Sequence, residues 1–172
     1  MKNRNLDHKD DWATPVDAYE KWNKEFNFDF DPCPFQHDLT KWDGLKVEWG
    51  HRNYCNPGYS LKIKEAFVKK AIEESKKGKL CVCLLPVSTS TKLFQDFILP
   101  NQKKIRFLRG RLKFTGINSK GQLVNYLNPT DETIDLEYPS VIDGTLQVVP
   151  IPLHVKNQGM HDSMLVIFDG RK

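Results

Sequence analysis

The fold is decided by Leu80-Cys81-Val82-Cys83-Leu84-Leu85, a continuous apolar run of strand length. Such a run predicts a strand that is buried on both faces, as strands are in a parallel sheet. Just before it, residues 61–77 place apolar side chains on one helical face and lysines mostly on the other, and Gly78 suits the end of that helix. A helix that leads into a buried strand predicts an α/β fold with right-handed crossovers.

The alternation of helices and strands continues on both sides of this run. A short helix is predicted over residues 15–25 with Thr14 as its N-cap, and alternating apolar residues over 26–31 then predict a strand that ends on Asp31. One further helix is predicted at residues 91–99. Further strands are predicted at Arg52–Cys55, 104–108, 111–114 and Ser163–Asp169.

Residues 115–158 interrupt this alternation. They are rich in Asn, Gly, Pro and Thr, with short β-like runs such as 146–149, and they predict a β-rich hairpin or lid inserted into a single domain of 172 residues. Loops on a rigid scaffold often carry recognition, so the insertion is a candidate for target recognition. A structural flap that covers a cofactor is the other interpretation.

Composition limits the functional classes. A net charge of +4 permits a polyanionic partner without requiring one. No apolar stretch has the length of a signal peptide core or a membrane span, so we expect a cytoplasmic protein with no membrane partner, either a monomer or a weak homodimer. The four cysteines, Cys33, Cys55, Cys81 and Cys83, follow no metal-ligand spacing and are predicted to be free, mostly buried thiols, with no metal bound.

The loop Asn56-Pro57-Gly58-Tyr59, which follows a predicted strand, has the groups needed for chemistry on the amino group of adenine. That nitrogen is a poor nucleophile because its lone pair is delocalised, and two acceptors on its N–H groups favour the reactive geometry. Asn56 can supply an amide oxygen and Pro57 a rigid carbonyl. Tyr59 can stack on a base extruded from the duplex. The same tetrapeptide is also typical of an ordinary type II turn.

A series of segments in a fixed order surrounds this loop. The segments are Trp12-Ala13-Thr14-Pro15, Phe30-Asp31-Pro32-Cys33, Trp49, Tyr54-Cys55-Asn56-Pro57, Tyr59-Ser60, Leu84-Leu85-Pro86, 107–114 and 163–168. The set resembles the phage-type DNA N-6-adenine methyltransferase family, called the phage Dam family. The resemblance implies a reduced Rossmann-like core that binds S-adenosylmethionine and methylates adenine at specific sites in double-stranded DNA.

The resemblance also implies roles for individual residues. Asn56, Pro57 and Tyr59 belong on the side of the target base, and Asp31 is expected to meet the amino group of the cofactor, directly or through water. The residues expected on the cofactor side are Trp12, Thr14, Pro15, Asp31, Pro32 and Cys33.

Basic residues are concentrated just before the insertion. Since alternate residues of a strand share a face, Arg109, Arg111 and Lys113 are predicted to point together toward DNA phosphates. A solvated edge strand that is protected by its charge is the alternative.

The chain departs from the family pattern in two places. Gly58 stands where the family usually has a second proline, which removes a rigid φ angle beside the target base. The glycine-rich turn of many methyltransferases is also missing. Gly58 leaves open a non-catalytic DNA-binding or anti-restriction role. Methylation of the cytosine amino group also stays open, because it needs the same two acceptors. An enzyme encoded by a phage or prophage would act in the cytoplasm of its bacterial host.

Overall fold

The computed structural model describes residues 12–35, 41–117, 123–125, 133–139, 146–152 and 161–172. Over these residues the chain forms a mixed α/β structure. The elements, in chain order, are β1 (Trp12–Ala13), α1 (Val16–Phe26), β2 (Arg52–Cys55), α2 (Leu61–Lys76), β3 (Leu80–Pro86), α3 (a π-helical stretch, Leu93–Ile98, continued by an α-helical turn, Leu99–Asn101), β4 (Lys104–Phe107), β5 (Thr115–Ile117), β6 (Leu123–Asn125), β7 (Thr133–Pro139), β8 (Leu146–Pro152) and β9 (Ser163–Asp169).

The central sheet has the strand order β2-β3-β9-β4. β2 and β3 are parallel, and β9 runs antiparallel to both β3 and β4. A single parallel bridge between Phe30 and Asn53 adds the preceding segment to the outer side of β2. The strands predicted at Arg52–Cys55 and Ser163–Asp169 are therefore confirmed. The prediction of a parallel sheet is therefore wrong, and the sheet is mixed. β9 begins beside the end of β3, where the Val87 N–H donates to the Asp162 carbonyl, so β9 runs in the opposite direction.

The sheet is buried on both faces, as the apolar run of β3 predicts. All seven residues of β3 are buried. On one face, Phe67, Val68 and Ala71 of α2 and Phe94 of α3 pack against the sheet, while Trp22 and Phe26 of α1 pack against the other. Each large apolar side chain buried in this way stabilises the fold by about 1.5–3 kcal/mol.

The strand predicted over residues 26–31 is wrong except at Phe30. The helix α1 continues through Phe26, and Asn27 then ends it in the left-handed conformation, with φ at 56° and its N–H bonded to the Asn23 carbonyl. The predicted N-cap role of Thr14 is also wrong. Pro15 occupies that position. The Thr14 hydroxyl group instead forms a hydrogen bond with the Tyr54 hydroxyl group, which the fold brings within 2.5 Å.

The strand predicted at residues 111–114 is likewise wrong. β4 ends at Phe107, and Gly110 then takes a φ of 76°, which turns the chain away from a ladder. Leu112 and Phe114 pack against the α1 side of the core. Arg109, Arg111 and Lys113 therefore do not lie in a strand, although all three are exposed.

The described residues of the region predicted to be a β-rich insertion form four strands. β7 and β8 form an antiparallel hairpin, and β5 pairs with β6 on one side and with β1 on the other. The four cysteines are free, and Cys55, Cys81 and Cys83 are buried. Across the described ranges, no helix is long and apolar enough to cross a membrane.

Candidate active site

Two predicted groups of site residues meet at the edge of the sheet where β2 and β3 end. The Tyr54 N–H donates to the Phe30 carbonyl at 3.0 Å, so Asp31 and Asn56 leave the sheet at the same edge. Asp31 accepts a hydrogen bond from the Cys33 N–H at 2.9 Å. The Cys33 and Cys55 sulfur atoms are 3.5 Å apart. The segments expected on the cofactor side and on the target-base side therefore leave the sheet next to each other.

The orientation of the Asn56 amide is set by the main chain of β1. Its Nδ2 donates to the Trp12 carbonyl oxygen at 2.6 Å. The reversed amide would bring two oxygen atoms together at that distance, so the chemistry of the partner fixes which atom points where. The Asn56 Oδ1 is left buried and accepts no hydrogen bond within the part of the chain that the structure describes. Asn56 thus presents one unsatisfied acceptor at the edge of the sheet.

A second bond joins the segment before α1 to β2. The Thr14 Oγ1 lies 2.5 Å from the Tyr54 hydroxyl oxygen, and Tyr54 itself is only 2% exposed. Tyr19 packs edge to face against Tyr54, with the ring centroids 5.1 Å apart. Burial raises the pKa of Tyr54 well above its ordinary value against the lowering effect of the Thr14 bond, so Tyr54 acts here as a neutral hydrogen-bonding group.

Asp31 gives this edge a negative potential. Burial is the main cause that raises the pKa of Tyr19 and of Tyr54, and the charge of Asp31 raises both further. Burial likewise raises the pKa of Cys33 to about 11, partly offset by a hydrogen bond with Cys55, and Asp31 adds to the rise. Three neighbouring groups thus resist becoming anions, mainly because they are buried and in smaller part because of the charge of Asp31.

The rest of the loop from Asn56 to Tyr59 packs on the α1 side of the core. Pro57 is buried, and the half-buried ring of Tyr59 meets Phe114 edge to face with centroids 6.1 Å apart. Among the described glycines only Gly78 and Gly110 have a positive φ. A type II turn needs a positive φ at its third residue, which is Gly58 in this loop. Gly58 does not have a positive φ, so the loop is not a type II turn.

The predicted DNA-contacting residues lie at the same edge of the sheet. They follow β4, whose end is bonded to the start of β9 through the Leu108 N–H and the Ser163 carbonyl. The Arg111 Nε is 3.3 Å from Asp162 Oδ1, in an ion pair that is largely exposed. Arg109 and Lys113 are also exposed. The three cations therefore follow a strand that ends at the edge of the sheet from which the Asn56 loop also leaves.

Sequence reasoning did not find the contacts that organise the loop. The Trp12 carbonyl is a main-chain group and leaves no residue-type signal. The edge-to-face contact of Phe114 also had no signal of its own, although Phe114 belongs to one of the segments that carried the resemblance. Within the described ranges, no three His, Cys, Asp or Glu side chains converge on a possible metal position.

In α/β sheets, ligands commonly bind beyond the carboxyl ends of the strands, and Asp31 and the Asn56 loop lie at those ends in this protein. The chain belongs to the DNA N-6-adenine-methyltransferase (Dam) family, whose model matches residues 2–132. It is also similar to the DNA N-6-adenine-methyltransferase of Haemophilus phage HP1 (strain HP1c1), with 32% identity over 166 residues, covering 88% of this chain and 92% of that protein. No solved structure matches.

Family membership confirms the resemblance drawn from the sequence and the prediction of adenine N6 methylation. The match includes β1, the Asp31 segment, the Asn56 loop and the basic segment after β4. The late segment at residues 163–168 lies beyond the family match, in the last strand of the central sheet.

Proposed function

We propose that the protein is an S-adenosylmethionine-dependent DNA methyltransferase with a Rossmann-like core, which methylates the N6 amino group of an adenine extruded from double-stranded DNA. The observation that carries the proposal is the buried, unsatisfied Oδ1 of Asn56. A buried acceptor without a donor costs about 1–3 kcal/mol, and a substrate N–H group would recover that cost. An acceptor is the group that an amino substrate needs.

The target base would be held by three parts of one loop. The Asn56 Oδ1 accepts one N–H of the amino group, and the Pro57 carbonyl accepts the other. These two bonds favour the pyramidal nitrogen, whose lone pair is available for attack. Tyr59 stacks on the extruded ring, which compensates part of the unstacking cost. The methylated amine is strongly acidic and loses its proton to water, so the proposal assigns no general base.

Asp31 and its surroundings fit S-adenosylmethionine. When bound, this cofactor supplies an electrophilic methyl group and carries positive charge on its sulfonium and amino groups. Asp31 would accept from the amino group, because a carboxylate is the natural partner of a cationic amine. Trp12, Thr14, Pro15 and Pro32 would line the same side of the crevice. Holding the two reactants close together in the reactive geometry would lower the barrier to the transfer.

The test is methyl transfer from labelled S-adenosylmethionine to unmethylated double-stranded DNA, followed by hydrolysis and identification of the nucleoside. We expect N6-methyladenine from the wild-type protein. Asn56→Ala should lower the rate by about 100-fold or more, as the loss of one oriented hydrogen-bonding group in an active site does. Calorimetry should show that Asn56→Ala still binds S-adenosylmethionine.

Asn101→Ala is the matched control, because Asn101 is an exposed asparagine on α3 whose amide donates to the main-chain carbonyl of Phe97. It should methylate at the wild-type rate. Methylcytosine as the product would identify the cytosine amino group as the target. Absence of any methylated nucleoside, together with DNA binding that weakens with salt, would instead identify a non-catalytic DNA-binding protein.

A further inference from the structure

The described structure contains a short ladder that touches both ends of the catalytic loop. β1 pairs antiparallel with β5 through Trp12 with Gly116 and Ala13 with Thr115. β1 directly precedes the segment that leads into α1, and β5 opens the insertion immediately after Phe114. We call these two stretches, residues 12–13 and 114–117, the β1–β5 clamp.

Each side of the clamp contacts one of the groups proposed to hold the target base. On the β1 side, the Trp12 carbonyl accepts from the Asn56 amide at 2.6 Å. On the β5 side, the Phe114 ring meets the Tyr59 ring edge to face. Trp12, Tyr59 and Phe114 also pack into the same hydrophobic cluster. Because the two strands are hydrogen-bonded to each other, a displacement of one is transmitted to the other.

We infer that the β1–β5 clamp positions the catalytic loop, with Phe114 acting as a positioning residue for Tyr59 and the Trp12 carbonyl acting in the same way for Asn56. This inference rests on the proposed function, since it assigns roles toward the target base. Methyl transfer requires the acceptor nitrogen and the methyl carbon to be aligned closely, and small misplacements lower the rate steeply. An edge-to-face contact fixes the tilt of the Tyr59 ring, whereas a flexible aliphatic neighbour does not.

The clamp also links the loop to the insertion. β5 pairs on its other side with β6, so the ladder continues from β1 through β5 into the inserted region. The geometry makes the clamp a physical connection between the candidate target-recognition region and the two groups that would hold the base.

The experiment compares Phe114→Leu with Phe94→Leu in single-turnover methyl transfer with saturating DNA and S-adenosylmethionine. Phe94 is the matched control because both phenylalanines are 6% exposed and Phe94 packs into the opposite cluster, away from Tyr59. We expect Phe114→Leu to lower the rate by about 10-fold and Phe94→Leu to leave it within about 3-fold of wild type. Cofactor affinity measured by calorimetry should be unchanged in both variants.

A double-mutant cycle with Tyr59→Ala separates positioning from a general loss of packing. If Phe114 acts through Tyr59, then Phe114→Leu should cost nothing further in the Tyr59→Ala background. If Phe114→Leu fails to fold, Phe114→Met replaces it in the comparison, because methionine keeps most of the volume of phenylalanine but has no ring. Equal rates for the Phe114 and Phe94 variants, or additive losses in the cycle, would overturn the inference while leaving the proposed function standing. A wild-type protein that forms no methylated base would overturn both.

Discussion

The Thr14 hydroxyl group lies 2.5 Å from the Tyr54 hydroxyl group, which ties the segment before α1 to the central sheet. Tyr54 is 2% exposed whereas Thr14 is half-buried, so the loss of this bond costs more at the Tyr54 hydroxyl group than at the Thr14 hydroxyl group. Thr14→Val leaves the buried Tyr54 hydroxyl group without its bond, and we expect a loss of about 1–3 kcal/mol in the free energy of unfolding. Tyr54→Phe removes the buried hydroxyl itself and should cost about 1 kcal/mol or less.

Urea denaturation of the two single variants and of the double variant measures this difference. The double variant should be more stable than Thr14→Val alone, because it no longer contains a buried, unsatisfied hydroxyl group. A Tyr54→Phe variant less stable than Thr14→Val would contradict this account of the contact. The same variants should weaken cofactor binding if the segment from Trp12 to Pro15 lines the crevice.

A buried carboxylate at the opposite edge of the sheet makes stability depend on pH. Glu74 is fully buried, and its carboxylate oxygens accept from the side chains of Lys70, Lys77 and Lys79 at 2.6–2.8 Å. Burial opposes ionisation, but the three lysine hydrogen bonds outweigh it and lower the pKa of Glu74 from 4.5 to about 2. The folded protein is therefore more stable when the Glu74 carboxyl group is ionised.

Because the folded-state pKa is lowered, the stabilisation is fully present above about pH 4.5 and is lost as the pH falls toward 2. We expect a loss on the order of 3 kcal/mol across that range in urea denaturation. Glu74→Gln should be destabilised at neutral pH and should lack this part of the pH dependence. Glu73→Gln, at the exposed neighbouring position, should keep the wild-type profile. A wild-type profile no steeper than that of Glu74→Gln would contradict the assignment.

Elements whose signal is local could be predicted from the sequence. β3 and β9 are continuous apolar runs that can only be buried, and β2 ends where Asn56 and Pro57 break the strand. β1 could not be predicted, because two residues become a strand only by pairing with Thr115 and Gly116, far along the chain. Such non-local pairing leaves no periodicity to detect.

The candidate site also combines features that could be predicted from the sequence with features that depend on tertiary contacts. The residue types of the Asn56 loop indicate an acceptor for an amino group, and that prediction needs no structure. The direction of the acceptor depends on the Trp12 main-chain carbonyl, which has no residue-specific signature. Thr14 shows why a local rule can fail. The sequence pattern predicts it as the N-cap of α1, but its hydroxyl group forms a hydrogen bond with Tyr54, which is distant in the sequence.

Gly58 should accept the proline that the family usually has at this position. Its φ is not in the positive region that would exclude proline. We expect Gly58→Pro to raise stability by about 0.4–1 kcal/mol through the unfolded state and to leave methyl transfer at or above the wild-type rate. Gly110→Pro is the matched control: Gly110 has a φ of 76°, which proline cannot adopt, so that variant should be destabilised. A folded Gly58→Pro protein that binds cofactor but no longer methylates DNA would show that the loop depends on the freedom of glycine.

The basic segment after β4 predicts a salt dependence that can be assigned to single residues. If Arg109 and Arg111 contact phosphates, replacing either with alanine should weaken binding to double-stranded DNA of any sequence. It should also reduce the slope of log affinity against log salt by about one. Arg171→Ala is the matched control, since Arg171 forms an exposed ion pair with Asp169 at the opposite edge of the sheet.

The Arg111–Asp162 pair sharpens this prediction. Asp162 lies 3.3 Å from the Arg111 guanidinium and competes with phosphate for it. Asp162→Asn should therefore strengthen DNA binding, and the gain should disappear when Arg111 is also replaced with alanine, because the two changes act on one interaction. Fluorescence anisotropy with labelled duplex DNA across a series of salt concentrations measures all of these variants. Equal slopes for Arg109→Ala, Arg111→Ala and Arg171→Ala would place the DNA on another surface and leave the basic segment as a charged, solvated margin of the sheet.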